Sequence, residues 1–257
     1  MTRPMKEILG CDIIGADGDL GRVVDILFDD RDWVVRYLVV TPLDVDRYSA
    51  FLLSPVAVTD TREKGRIVVS TTKDQAKGAP GFDARQPISR QMERTSMDYF
   101  GWGYYWQGPE LWGDWATPIG LATPGPGAWP GGPFHSEPVP PAALDDVSSE
   151  AGDRQVAGTL RSASDVGGGY RVQALEDEIG HVEDFLVDEQ SYRILCAVVD
   201  TSTWWFGRKV TVPTSHFSRI EWAEQKIYVD ATRDQVKASS EYDADDPSCG
   251  HMPGASR

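Results

Sequence analysis

One pattern occurs twice in this chain, and that repetition constrains its fold more than any other feature. Leu20-Gly21-Arg22-Val23-Val24-Asp25-Ile26-Leu27-Phe28-Asp29-Asp30 aligns with Ile179-Gly180-His181-Val182-Glu183-Asp184-Phe185-Leu186-Val187-Asp188-Glu189 at a constant separation of 159 positions. Gly, Val, Asp, Leu and Asp recur at matched places, and the register continues without a gap from Trp33–Val40 to Tyr192–Val199. With one-residue slips of the kind that loop-length differences produce, Ser54-Pro55 answers Val212-Pro213 and Ile67–Lys77 answers Ile227–Lys237. Three matched blocks in the same order indicate a duplicated domain.

Each copy reads as β structure. Leu20–Phe28 alternates apolar and polar residues, and Trp33–Val40 is rich in β-branched and aromatic side chains. Asp29–Asp32 and Ala16–Asp19 read as turns, with a short strand Cys11–Gly15 before the second of these. Ser49–Leu53 and Arg66–Ser70 add further strands, and Pro42 and Pro55 fall at strand ends, where a missing N–H costs least. So many short strands in so little chain predict a small closed or nearly closed barrel. Each copy ends on a capping box, Thr72-x-x-Gln75 and Thr232-x-x-Gln235, which predicts a short helix after the last strand. The expected fold class is therefore all-β: two small barrels, each followed by a short helix, joined by a connector. Over 257 residues this divides the chain as 1–78 (first barrel), 79–158 (connector), 159–243 (second barrel) and 244–257 (a loose acidic tail).

The connector has a different character. Ile88, Met92 and Tyr99 have helical spacing, so one short helix is expected over Ser89–Met97. An aromatic run follows, Tyr99-Phe100-Gly101-Trp102-Gly103-Tyr104-Tyr105-Trp106, with Trp112 and Trp115 beyond it. Pro118–Pro141 is rich in Pro, Gly and Ala and reads as an extended linker.

The repeated residues resemble the PRC-barrel family. The signature is a strand opening on a Gly turn, then G-x-V-x-D-x-L-x-D, then a turn leading into a run such as Arg36-Tyr37-Leu38-Val39-Val40. The second copy is the fuller match, extending through Val199-Asp200-Thr201 and Trp204-Trp205-Phe206-Gly207-Arg208-Lys209-Val210. The family includes the cytoplasmic domain of the photosynthetic reaction-centre H subunit and the C-terminal domain of a ribosome-maturation factor. The resemblance implies six-stranded barrels used as docking and assembly modules, with no shared catalytic residue set. An accessory role in electron transport like that of the H subunit is one reading it allows. The chain lacks that subunit's transmembrane helix and the maturation factor's RNA-processing partner domain, so neither specific job transfers by resemblance alone.

Charge narrows the partners. Lys and Arg number 25 against 40 Asp and Glu, a net −15, which argues against nucleic acid and against attraction to anionic lipid. No apolar run reaches membrane-spanning length, and no secretory signal opens the chain. Cys11, Cys196 and Cys249 are odd in number and far apart, so neither a disulfide framework nor a zinc site is expected, and a reducing cytoplasm is the simplest compartment. The acidic residues of the turns lack the spacing of a calcium loop. They read as structural instead, with Asp25 and Asp184 expected to accept backbone N–H groups. His181 and Glu183 are two apart on a strand, but the matched residue to His181 is Arg22, which could not serve as an acid or base. No catalytic, metal or cofactor residues are assigned. The expected function is a non-enzymatic adaptor that binds a protein partner, with homodimerisation a second expectation. The contact candidates are Trp102, Tyr104, Tyr105, Trp106, Trp204, Trp205 and Phe206. A small molecule or carbohydrate stacked on the connector aromatics is the alternative.

Overall fold

The computed structural model describes residues 1–43, 50–82, 88–122, 160–201 and 208–252. The chain forms two compact units: Ile8–Arg161 with Gln190–Tyr192, built on the first repeat, and Met1–Glu7, Ser162–Glu189 and Arg193–Arg257, built on the second. After a short strand β1 (Thr2–Pro4), the first repeat supplies β2 (Asp12–Gly15), β3 (Gly18–Asp29), β4 (Val34–Pro42), β5 (Ala50–Leu53), β6 (Val58–Asp60) and β7 (Arg66–Val69). Helix α1 (Lys73–Gly78) and strand β8 (Gly81–Phe82) follow. The connector contributes α2 (Arg90–Phe100) and α3 (Ile119–Ala122). After β9 (Leu160–Ser162), the second repeat runs through α4 (Ala163–Val166), β10 (Arg171–Gln173), β11 (Glu178–Asp188), β12 (Ile194–Asp200), β13 (Lys209–Pro213), β14 (Phe217–Glu221), β15 (Lys226–Val229) and α5 (Arg233–Lys237).

The two sheets repeat one topology. Strand order is β6-β7-β2-β3-β4-β5-β8 in the first and β13-β12-β11-β10-β15-β14 in the second, the same six-strand path in both. In each, a single matched pair, β2 with β7 or β10 with β15, is parallel and the neighbours are antiparallel. Both capping boxes form, with Thr72 and Thr232 each accepting from the N–H of the glutamine three residues on. The turn before β3 contributes as well: Asp17 Oδ1 accepts from Lys73 N at 2.8 Å, and its counterpart Glu176 Oε2 accepts from Arg233 N at 3.1 Å. Acidic turn residues thus tie each turn to the N-terminus of the closing helix, where negative charge is favoured.

Each unit also takes up the strand that precedes the other repeat. Strand β1 pairs with β11 (Thr2↔Asp188, Arg3↔Val187, Pro4↔Leu186), and Arg3 Nη1 lies 3.8 Å from Glu189 Oε1. Strand β9 pairs with β3, and Arg161 Nε lies 2.9 Å from Asp30 Oδ2. Asp30 and Glu189 are matched positions of the repeat, so the two ion pairs sit at the same place in each unit. The tail expected to be loose is instead held as far as Met252, which is buried. The segment just before the tail lines the outer edge of β13, with Thr211 N donating to Ser240 O at 3.0 Å and Tyr242 N to Lys209 O at 2.9 Å, and the tail itself is tied by Gly250 N to Thr211 Oγ1 at 3.2 Å.

The signature aspartates accept backbone N–H groups as expected. The register slips between Val23 and Asp25 on β3 and between Val182 and Asp184 on β11. A bulge of this kind interrupts the ladder, and each aspartate Oδ1 accepts from the next N–H at 2.8 Å: Ile26 N for Asp25, Phe185 N for Asp184. Asp184 also receives Lys6 N at 3.2 Å. It is 8% exposed, and burial pushes its carboxyl up to about 6 despite those two N–H groups. Because the folded value lies above the unfolded one, the folded unit holds the proton more tightly. This group's contribution to stability therefore rises as pH falls from 7 towards 4. Asp184→Asn keeps Oδ1 as an acceptor and removes the buried charge. The variant is expected to gain roughly 1–3 kcal/mol at pH 7 and to lose much of the slope between pH 4 and 7. Urea unfolding at several pH values checks this; a variant that is weaker at pH 7 with an unchanged slope refutes it.

Candidate interaction site

The connector's first element is longer than its spacing predicts. Helix α2 starts after Ser89, whose hydroxyl accepts from Met92 N at 3.2 Å, and continues to Phe100. Gly101 ends it in the left-handed conformation, φ 72°, which lets the chain reverse so that Trp102 stacks back on Phe100 with centroids 4.4 Å apart. The helix lays Met97 and Tyr99 against the first barrel, and Tyr99 Oη donates to Gln75 O at 2.9 Å.

Beneath the connector lies a buried ionic cluster that the sequence reading missed. Arg36, in the middle of β4, is 1% exposed. Its Nη2 reaches Asp32 Oδ2 at 3.2 Å and Asp29 Oδ2 at 3.6 Å, and its Nη1 donates to Leu111 O. Its Nε makes no hydrogen bond, and the guanidinium lies over two rings, 4.0 Å from the centroid of Tyr105 and 5.2 Å from that of Trp112. Glu93, 2% exposed on α2, accepts from Tyr105 Oη at 2.6 Å and Tyr37 Oη at 3.1 Å and pairs with Arg90 Nη1 at 3.0 Å. Burial raises the Glu93 carboxyl above its ordinary range, with Arg90 and the two hydroxyls pulling it back. Burial, and then the charge of Glu93, pushes Tyr37 and Tyr105 upward, so both remain hydroxyl donors at neutral pH. Buried charges are tolerated when each is paired in this way. A signal for the cluster was present in the sequence. Val34–Val40 is apolar on both faces apart from Arg36, and a strand apolar on both faces is covered on both. In the second repeat the positions of Arg36 and Tyr37 hold Leu195 and Cys196, so the cluster belongs to the first repeat alone.

Of the residues expected to make contacts, Tyr105 is buried at 3% and forms the floor. Trp102, Tyr104 and Trp106 are partly exposed above it. Tyr104 and Trp106 stack at 4.8 Å, Tyr104 Oη donates to Asp98 Oδ1, and Arg90 lies 4.2 Å from the Trp106 ring centroid. Further along the connector, Trp115 is 38% and Ile119 70% exposed. Trp204, Trp205 and Phe206 lie outside the described residues.

The PRC-barrel domain family matches residues 4–76 and 169–236, more than half of the chain. The chain belongs to the PRC-barrel family. It is also similar to an uncharacterized protein of Deinococcus radiodurans, 40% identical over 70 residues. That match takes in 27% of this chain and 24% of the relative, so the chain spans about a quarter of the relative's length.

Within the second PRC-barrel, the one acid–base pair suggested by spacing is not assembled. Glu183 Oε1 is instead taken by Lys209 Nζ at 2.8 Å and Lys6 Nζ at 3.5 Å. Although burial opposes it, these lysines hold the Glu183 carboxyl below its usual range. His181 sits opposite Asp200 in the sheet register. No helix among the described residues is long and apolar enough to cross a membrane.

Proposed function

We propose that this PRC-barrel protein is a non-enzymatic adaptor or assembly module that docks a protein partner on the aromatic ridge of its first-repeat unit. Trp102, Tyr104 and Trp106 are the contact rings and Tyr105 their buried support. The segment Trp204-Trp205-Phe206 is a second candidate contact. The observation that carries the reading is that the ridge is already ordered: Trp102 rests on Phe100, and Trp106 rests on Arg90 and Tyr104. Rigid aromatic side chains lose little freedom on binding, which is why Trp and Tyr dominate the energetics of interfaces. The buried ions beneath them pair with one another, consistent with a scaffold for the ridge.

The test is affinity capture by the full chain, compared with Trp102→Ala/Trp106→Ala, followed by a binding titration of the captured protein. Both substitutions lie on the outer side of the ridge, so the melting temperature is expected to change little. Loss of two anchor rings is expected to weaken binding about tenfold or more. Equal binding by the folded double variant would refute the assignment of these rings. Light scattering separates the homodimer from a foreign partner. A sugar or small molecule that raises the melting temperature of the wild type, but not of the double variant, would favour the alternative ligand class.

A further inference from the structure

In the second-repeat unit, the strand position that holds Tyr37 in the first repeat holds Cys196, which is fully buried. It stands beside Val198 and opposite Leu186 on the sheet. The C-terminal tail closes over this small patch. Tyr242 and Cys249 pack against it, Gly250 N donates to Thr211 Oγ1 at 3.2 Å, and Met252 is buried. The fit leaves no slack next to Cys249: a Cβ on Gly250 would lie 2.0 Å from Ser240 Cβ. Tail packing thus brings two free thiols to one patch, Cys249 lying against the cluster that holds Cys196. Cys249 is partly exposed, while Cys196 is shut away from solvent. The pair is therefore asymmetric. The neighbouring Cys196 thiol holds Cys249 below its usual range against the effect of burial, while Cys249, then burial, pushes Cys196 up. A partly exposed, thiolate-prone cysteine beside a second thiol is the arrangement in which oxidation stops at a disulfide.

We propose that Cys249 and Cys196 form a hydroperoxide-responsive thiol pair, Cys249 attacking the oxidant and Cys196 resolving, whose disulfide fastens the tail to the second barrel. The Cys249 thiolate sulfur attacks the distal peroxide oxygen. The O–O bond breaks, the leaving alkoxide or hydroxide takes up a proton, and Cys249 becomes a sulfenic acid. Cys196 then gives up its proton, its sulfur bonds to that of Cys249, and the S–O bond breaks to release water. Two thiols are oxidised and one peroxide is reduced. No third protein group is required.

The experiment uses the full chain, reduced and then exposed to hydrogen peroxide, with alkylation and non-reducing peptide mapping. Two of the three thiols should be lost, a Cys196–Cys249 linked peptide should appear, and Cys11, buried in the first-repeat unit, should stay reduced. The melting temperature of the second unit should rise and return to its starting value on addition of dithiothreitol, because a cross-link that holds the tail restricts the unfolded chain. Cys196→Ser should leave a sulfenic acid on Cys249 that dimedone traps. The proposal is overturned if Cys249 passes to the sulfinic or sulfonic acid while Cys196 stays reduced. It is equally overturned if all three thiols survive a peroxide dose that oxidises free cysteine. Both readings come from the wild-type map and do not depend on any variant folding.

Discussion

Replacing Trp112 with alanine is expected to lower the melting temperature of the first-repeat unit by roughly 10 °C, a loss of about 3–5 kcal/mol. Among the described residues it is the largest fully buried side chain, at 0% exposed, although it comes from a connector rather than from either repeat. Its removal takes away three things together. The indole fills a site edge-on to Tyr105, with centroids 6.3 Å apart. It covers one side of the Arg36 guanidinium, whose Nε has no hydrogen bond and depends on the rings around it. Its Nε1 also donates to Ser191 O at 2.8 Å, a carbonyl of the three-residue segment Gln190–Tyr192 that belongs to the same unit. Trp112→Phe separates these effects. It keeps most of the ring and loses the N–H, and is expected to cost about 1–2 kcal/mol. Urea denaturation followed by near-UV circular dichroism measures both. A cost for Trp112→Ala within error of that of an exposed substitution such as Ile119→Ala would mean that the connector does not brace the barrel.

What was legible in the sequence was local. The strands, both capping boxes and the backbone N–H bonds of Asp25 and Asp184 follow from side-chain type at short spacing, and duplication allowed each to be read twice. The features that depend on which backbone edge a distant segment meets were not legible. Thr2–Pro4 and Leu160–Ser162 are three residues each, too short to carry a period, and nothing in them names β11 or β3 as partner. The tail is acidic and polar, yet two apolar residues spaced through it, Cys249 and Met252, dock it, with Gly250 N donating to Thr211 Oγ1 of β13. For the candidate site, the aromatic run was evident but its sorting was not. Tyr104, Tyr105 and Trp106 are adjacent and chemically alike. Only the position of Glu93, one helix back, decides that Tyr105 points down while its neighbours stay partly exposed.

The glycine of the signature provides the sharpest test of the duplicated fold. Gly180, the third residue of β11, has φ +142°, and a Cβ there would stand 2.0 Å from the carbonyl oxygen of Asp200 on β12. Its counterpart Gly21 would place a Cβ 2.2 Å from Thr41 O, the matched residue of the first repeat. In both barrels the neighbouring strand passes directly over this glycine, so the obstacle is backbone and cannot rotate aside as a side chain would. Gly180→Ala therefore has to strain φ and push β11 and β12 apart at the end of their ladder. The expected cost is about 3–5 kcal/mol, confined to the second-repeat unit. Gly169→Ala is the control in the same unit: its φ is +107°, but nothing lies within 4 Å of the added carbon, so only the backbone term remains, about 1–2 kcal/mol. Hydrogen exchange localises the effect: amides of β11 and β12 should lose protection in Gly180→Ala, while those of β3 and β4 keep it. Equal costs for the two substitutions would show that left-handed geometry, rather than the close approach of the next strand, is what reserves this position for glycine.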